Sequence, residues 1–167
     1  VFGIVTTEGG NNSPMIVLAS VNGKFTVKNV VVPNDLIFDV SKTCDDVLSE
    51  CNQRESGQAE SLTVEGCTFY GSGCAYAGNV RSITYRNNKF LLKSNEHNGA
   101  DSYPLWYKFN RAIESFTFEG NTVEAQRALN LGRFAVNSNI VVKDNKFTVA
   151  NTENAAKGAA IMLAENH

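Results

Sequence analysis

The sequence predicts an all-β fold in which short parallel strands lie on one another, and three observations support that prediction. Nearly the same eight residues recur four times, in copies that begin at Leu62, Ile83, Phe116 and Ile140. Within each copy, the residues before a bend alternate with the period of a strand. A short apolar stretch also precedes the third and fourth copies at the same distance. Repeats spaced by about 20–50 residues are typical of stacked architectures.

The octet predicts a strand, a sharp bend and the start of a second strand. Positions one and three are apolar, position two is mostly threonine and position four is charged. Position five holds Gly66, Asn87, Gly120 or Asp144, which are residue types that tolerate a left-handed backbone. A degenerate fifth copy begins at Phe25 and keeps the first half of the pattern.

Stacking would bring equal octet positions together as columns of neighbouring side chains. At position eight we expect an interior apolar ladder, and at position six an asparagine ladder whose amides satisfy buried polar groups at the bend. At position four the charges alternate in sign, so neighbouring strands attract each other and the register is fixed. The expected columns are Phe69, Phe90, Val123 and Phe147; Cys67, Asn88, Asn121 and Asn145; and Glu65, Arg86, Glu119 and Lys143.

The segments outside the octets follow in chain order. Residues 1–24 hold a Gly-rich turn and an apolar strand over Met15–Ala19, and a second strand is expected at Leu36–Val40. The polar residues 41–60 predict an inserted loop or a short surface helix. A further insertion is expected at 93–104, because the spacing between octets widens there to 33 residues.

Apolar strands upstream of the octets complete each turn of chain. Leu105 and Leu129 both lie eleven residues before an octet, and Ala159–Leu163 repeats the pattern for a further turn. Three short strands in some 20–25 residues describe one coil of a parallel β-helix, so the chain would form a single domain, 1–167, of roughly 5–7 coils. The alternative is an antiparallel sandwich of hairpins, although hairpins need no sameness between distant strands.

The octets, with asparagine at the bend and further strands between them, resemble the coils of the right-handed, pectate-lyase-like β-helix superfamily. They are also similar to β-helix proteins that gut Bacteroidetes secrete or display. The resemblance covers roughly Phe25 to the end of the chain and implies a right-handed parallel β-helix. It does not imply one activity, because this scaffold hosts lyases, hydrolases, epimerases, phage tailspikes and adhesins.

Composition limits the partners and the compartment. Fifteen basic and seventeen acidic residues give a formal net charge of −2, which disfavours nucleic-acid binding. No apolar run is long enough to span a membrane. We expect a secreted, periplasmic or cell-surface protein, or a fragment of one with flanking domains, that can self-associate through open coil ends. Cysteines at positions 44, 51, 67 and 74 permit one or two disulfides or buried thiols.

Motifs that accompany catalysis in the superfamily do not appear in this sequence. The chain has neither Asn-Thr-Asp nor His-Gly, and Asp45-Asp46 lies in the polar insertion. A compact acidic cluster suited to Ca²⁺ is also missing. We therefore assign no catalytic residues and no metal site, and we expect no cofactor, with Ca²⁺ needed only if the chain is a lyase.

The upstream strands and the 93–104 insertion give the better candidate for a ligand site. Strand alternation predicts that Trp106 and Lys108 point outward on one coil and Asn130 on the next. Aromatic rings stack on sugar faces, while amides and cations bind hydroxyls or a uronate carboxylate. The candidate ligand-binding residues are Tyr103, Trp106, Lys108, Arg127, Asn130 and Arg133. A simpler interpretation is that Trp106 packs under the inserted loop as a hydrophobic anchor.

Two functions of different classes follow from these residues. The first is a noncatalytic carbohydrate-recognition or adhesin-type module that binds a polysaccharide or another glycan. The alternative is a polysaccharide lyase or epimerase acting on uronate-containing glycans, in which Lys108, Arg127 or Arg133 serves as base or carboxylate clamp. A structural spacer between other domains is a third interpretation.

Overall fold

The structure is a computed structural model that describes residues 3–4, 15–17, 23–32, 37–39, 59–70, 76–77, 80–92, 105–106, 113–125, 129–132, 134–149 and 161–164. These residues form strands and the bends between them, and they contain no helix. All strand pairings in this part of the chain are parallel. The prediction of an all-β fold with parallel strands is therefore confirmed.

The strands belong to four sheets. In spatial order, the five-stranded sheet contains β3 (Lys24–Lys28), β6 (Ala59–Glu65), β9 (Val80–Arg86), β12 (Ile113–Glu119) and β15 (Phe134–Lys143). The six-stranded sheet contains β1 (Gly3–Ile4), β4 (Val30–Val32), β7 (Thr68–Phe69), β10 (Lys89–Leu91), β13 (Thr122–Ala125) and β16 (Lys146–Val149). The two three-stranded sheets contain β2 (Met15–Val17), β5 (Ile37–Asp39) and β8 (Tyr76–Ala77), and β11 (Leu105–Trp106), β14 (Leu129–Gly132) and β17 (Ile161–Ala164).

Neighbouring strands of every sheet lie three steps apart in the chain order. The chain thus contributes a strand to the five-stranded sheet, the six-stranded sheet and a three-stranded sheet before it returns to the first. The two three-stranded sheets approach each other where β8 contacts β11. Because connections never link adjacent strands of one sheet directly, the topology is not that of hairpins.

Each octet, which we call a rung, runs from the five-stranded sheet through its bend into the six-stranded sheet. First positions of successive rungs are Cα partners: Phe25 with Leu62, Leu62 with Ile83, Ile83 with Phe116, and Phe116 with Ile140. The backbone turns at position five, where φ is positive at Asn29, Gly66, Asn87, Gly120 and Asp144. The repeated letters of the sequence are therefore neighbours in space.

One hydrophobic core receives side chains from the five-stranded sheet, the six-stranded sheet and Leu129 of β14. The position-eight ladder is part of this core, as Phe69 stacks on Phe90 with ring centroids 4.9 Å apart. Phe90 also packs on Phe118 of the other sheet, at 5.9 Å. Phe147 continues the ladder in register but is only partly buried.

Some elements differ from the sequence prediction. Strands β6, β9 and β12 begin three residues before their octets, so that Val80 and Ile113 add a buried column. Strand β15 carries an irregularity of register beside Ile113 and Ser115, and Val136 within it is 92% exposed. The predicted insertion at 93–104 lies outside the described residues. So does the insertion at 41–60, except for Ala59 and Glu60, which open β6.

Candidate functional site

The position-six asparagines form a continuous hydrogen-bonded column at the bends. The Asn88 backbone N–H and Nδ2 donate to Asn121 Oδ1 at 2.9 and 3.0 Å, and Nδ2 also donates to the Val64 carbonyl at 3.0 Å. Asn121 repeats this arrangement one rung further, with Asn145 Oδ1 as acceptor at 2.8 and 3.1 Å and the Tyr85 carbonyl at 3.0 Å. Asn88 and Asn121 are each 1% exposed. These amides hold the bends together and are not available to a ligand.

Cys67 occupies the same column one rung earlier. Its backbone N–H donates to Asn88 Oδ1 at 2.9 Å, and its Sγ lies 3.7 Å from the Val27 carbonyl, where an asparagine amide would donate. The thiol is buried and free, and desolvation raises its pKa. Since a nucleophilic cysteine needs an accessible thiolate, Cys67 is a packing residue. Cys44, Cys51 and Cys74 lie outside the described residues.

The charged column on the outer face of the five-stranded sheet forms as predicted. Lys28 Nζ lies 2.7 Å from Glu65 Oε2, Arg86 Nη2 lies 3.2 Å from Glu119 Oε2, and Lys143 Nζ lies 2.8 Å from Glu119 Oε1. All five residues are successive Cα partners in the sheet. The column therefore alternates from positive to negative along its whole described length.

These ion pairs shift the ionisation of their members. The hydrogen bond from Lys143 is the main cause that lowers the pKa of Glu119, and that from Lys28 lowers the pKa of Glu65. The same hydrogen bond to Glu119 raises the pKa of Lys143. A general acid needs a carboxyl pKa raised toward the working pH, so the two glutamates are shifted the wrong way for that role. The charged column is therefore a structural feature of the sheet and not a pair of catalytic acids.

An alternation at position five was not recognised from the sequence. An ideal Cβ on Gly66 would lie 2.5 Å from Asn29 Oδ1, and one on Gly120 would lie 2.4 Å from Asn87 Oδ1. Each asparagine side chain thus occupies the space beside the next rung's glycine. The signal was present in the order Asn29, Gly66, Asn87, Gly120 and Asp144.

The predicted ligand site depends on strands β11, β14 and β17. Trp106 and Asn130 are Cα partners, and Asn130 is in turn the Cα partner of Met162. Leu129, which precedes Asn130, is 2% exposed. The backbone therefore brings Trp106 and Asn130 to adjacent strands at the same level. The four other candidates, Tyr103, Lys108, Arg127 and Arg133, lie outside the described residues, as do His97 and Asp45-Asp46.

Comparison with known proteins leaves the family of the chain open. No family model, no curated protein and no solved structure matches it. In the described ranges, no cluster of three or more His, Cys, Asp or Glu side chains is placed to hold a metal ion. The same residues include no helix with the length and apolar character of a membrane span.

Proposed function

We propose that the chain is a right-handed parallel β-helix that recognises carbohydrate without catalysing a reaction. Two observations support a coiled arrangement of the chain: successive octets pair in parallel register, and successive strands belong in turn to the five-stranded, the six-stranded and a three-stranded sheet. Right-handedness follows from the strong preference of parallel strand–connection–strand units for that hand. The likeness of the octets to the pectate-lyase-like superfamily supports the same fold, and with it a secreted, periplasmic or cell-surface location.

The pairing of Trp106 with Asn130 is the observation that carries the proposal. A tryptophan ring binds the apolar face of a sugar, and a neighbouring amide exchanges hydrogen bonds with hydroxyls. Neighbouring parallel strands lie about 4.8 Å apart along the stack, and Trp106 and Asn130 are Cα partners on two such strands. A row of this kind suits an extended glycan that runs across several strands, with the cations Lys108, Arg127 and Arg133 and the ring of Tyr103 supplying further contacts.

The charged column favours the noncatalytic function over a lyase or epimerase. Glu65 and Glu119 are engaged in ion pairs, and the hydrogen bonds of those pairs lower their pKa values. Neither carboxylate is thus prepared to donate a proton to a leaving group. A uronate-directed enzyme would need its base and carboxylate clamp elsewhere, among Lys108, Arg127 and Arg133.

A glycan array followed by calorimetry tests the proposal. We expect the wild-type chain to bind a polysaccharide, and Trp106→Ala to weaken that binding at least about tenfold, because stacking is lost. Tyr70→Ala is the matched control, since Tyr70 is an exposed aromatic residue that directly follows β7 of the six-stranded sheet. Absence of glycan binding by the wild type, or equal binding by Trp106→Ala, would overturn the proposal.

Incubation with pectate, alginate and glycosaminoglycans separates binding from lyase activity. A noncatalytic module leaves the absorbance of unsaturated uronate products unchanged with or without Ca²⁺. A Ca²⁺-dependent rise would instead identify the chain as a lyase and would make Ca²⁺ its cofactor.

A further inference from the structure

The described stack ends with side chains that the earlier rungs keep covered. The first-position residues Leu62, Ile83 and Phe116 are at most 3% exposed, whereas Ile140 is 39% exposed. Phe147 is likewise only partly buried. Strands β15 and β16 are the last strands of their sheets. The end of the stack formed by β15 and β16, which we call the β15–β16 end, therefore presents apolar side chains beside strand edges.

The column of hydrogen-bonded asparagines at the bends also reaches its last described member at this end. In the two earlier rungs, the backbone N–H and Nδ2 of Asn88 and Asn121 donate to the Oδ1 of the next asparagine. Among the described residues the column stops at Asn145, whose Nδ2 donates backward to the Phe118 carbonyl at 2.7 Å. The β15–β16 end thus offers the donor pair that has bound an asparagine Oδ1 in each preceding rung.

Charge and bend geometry specify two further positions of a strand that stacks on the β15–β16 end. Lys143 is bonded on one side to Glu119 and its side chain is 54% exposed, so the alternating column calls for an acidic residue on its other side. Asp144 has the place that Asn29 and Asn87 hold in earlier rungs, each beside a glycine of the next rung. By the same spacing, a residue stacked on Asp144 needs to be glycine.

We infer that the β15–β16 end binds, in parallel register, a β-strand of a partner polypeptide with the order apolar-x-apolar-Glu-Gly-Asn-x-apolar. This mode is strand addition to a sheet edge, in which backbone hydrogen bonds give affinity and alternate side chains give specificity. The inference rests on the described rungs and not on carbohydrate recognition.

A second copy of the chain stacked head to tail fits this end poorly. Its first octet would place Lys28 against Lys143 and Asn29 against Asp144. Gly3, the Cα partner of Val30 at the outer edge of the six-stranded sheet, would lie against Asn145 and has no side-chain oxygen to accept from it. Like charges on neighbouring strands repel, and a buried donor without an acceptor is costly. The partner is therefore a strand with the Glu-Gly-Asn bend.

The chain's own third octet supplies the test ligand, because it has the required order and already pairs with β15 on the other side. A fluorescent peptide with the sequence of Ile113–Ala125 is titrated against the whole chain, beside a peptide in which its Glu-Gly bend is changed to Lys-Gly. We expect saturable binding of the Glu peptide and at least about tenfold weaker binding of the Lys peptide.

Charge reversal on the protein locates the site. Lys143→Glu is expected to reverse the preference, so that the Lys peptide binds more tightly than the Glu peptide. Lys24→Glu, at the opposite edge of the five-stranded sheet, is the matched control and leaves the preference unchanged. No saturable binding of the Glu peptide, or a preference that Lys143→Glu does not alter, would overturn the inference.

Discussion

Asn121 stabilises two bends at once because its amide accepts from one rung and donates to the next. It takes hydrogen bonds from the Asn88 backbone and Nδ2, and it gives hydrogen bonds to Tyr85 and Asn145. Cys67 fills the same column with a weaker donor. The asparagine ladder could be predicted from the sequence, since three identical letters at one octet position need only the stacking to become neighbours.

Replacement of Asn121 by alanine tests that role. The change removes the acceptor of two buried Asn88 donors and the hydrogen bond to the Tyr85 carbonyl, so we expect the free energy of unfolding to fall by about 3 kcal/mol. Asn139→Ala is the control, because Asn139 is exposed on β15, and it should change stability by no more than about 0.5 kcal/mol. Chemical denaturation followed by circular dichroism measures both, and equal stability of the two variants would contradict the buried column.

Gly120 is required at its position for two separable reasons. Its φ is +65°, and a Cβ there would lie 2.4 Å from Asn87 Oδ1. We expect Gly120→Ala to destabilise the protein by about 1–3 kcal/mol. In the double variant Asn87→Gly/Gly120→Ala the contact is absent and only the backbone strain remains. A double-mutant cycle should therefore give a favourable coupling of about 0.5 kcal/mol or more, whereas strict additivity would show that Asn87 does not crowd this site.

Within each strand, the alternating charges and the bends could be predicted from the sequence, but the residues at which the strands begin could not. Strands β9 and β12 start at Val80 and Ile113, whose apolar column lies outside the octet. The irregularity of β15 around Val136 adds residues that the other described rungs lack, so the repeat spacing cannot predict it. A sequence repeat predicts the features that all rungs share, but it does not predict an irregularity that occurs in a single rung.

The charged column makes stability depend on pH in a defined direction. Glu119 has a pKa below its ordinary value of 4.5, so its stabilising contribution is present above pH 4.5 and is lost as the pH falls through the lowered value. Lys143 has a pKa above 10.5, so its contribution is lost only as the pH rises beyond that value. We expect the melting temperature to hold between these limits and to fall on both sides.

Glu119→Gln should flatten the acid side of that profile, because the titrating carboxylate is removed. Glu114→Gln is the matched control, since Glu114 lies exposed on the same strand and has no ion pair within the described residues. Thermal melts from pH 2 to pH 7 measure the slopes. If both variants retain the wild-type acid slope, Glu119 does not contribute through its ion pairs.

Across the chain, the sequence predicted the parallel arrangement and the register that makes Trp106 and Asn130 Cα partners. Trp106 and Asn130 were placed on adjacent strands because their strands keep one distance from the octets, and the register agrees. Tyr103, Lys108, Arg127 and Arg133 lie outside the described residues, so their predicted positions stay untested. The part of all six candidate residues in carbohydrate recognition stays a prediction.

A disulfide scan across the rungs tests most directly whether the octets stack in parallel. Thr84 and Thr117 are Cα partners in the five-stranded sheet, so Thr84→Cys/Thr117→Cys should form a cross-link on mild oxidation, as parallel neighbours about 4.8 Å apart satisfy disulfide geometry. Thr63 pairs with Thr84 and lies a rung further from Thr117, so Thr63→Cys/Thr117→Cys should stay reduced. Peptide mapping by mass spectrometry reads the bond. Cross-linking of the Thr63 pair, or failure of the Thr84 pair in a folded chain, would contradict parallel stacking of the octets.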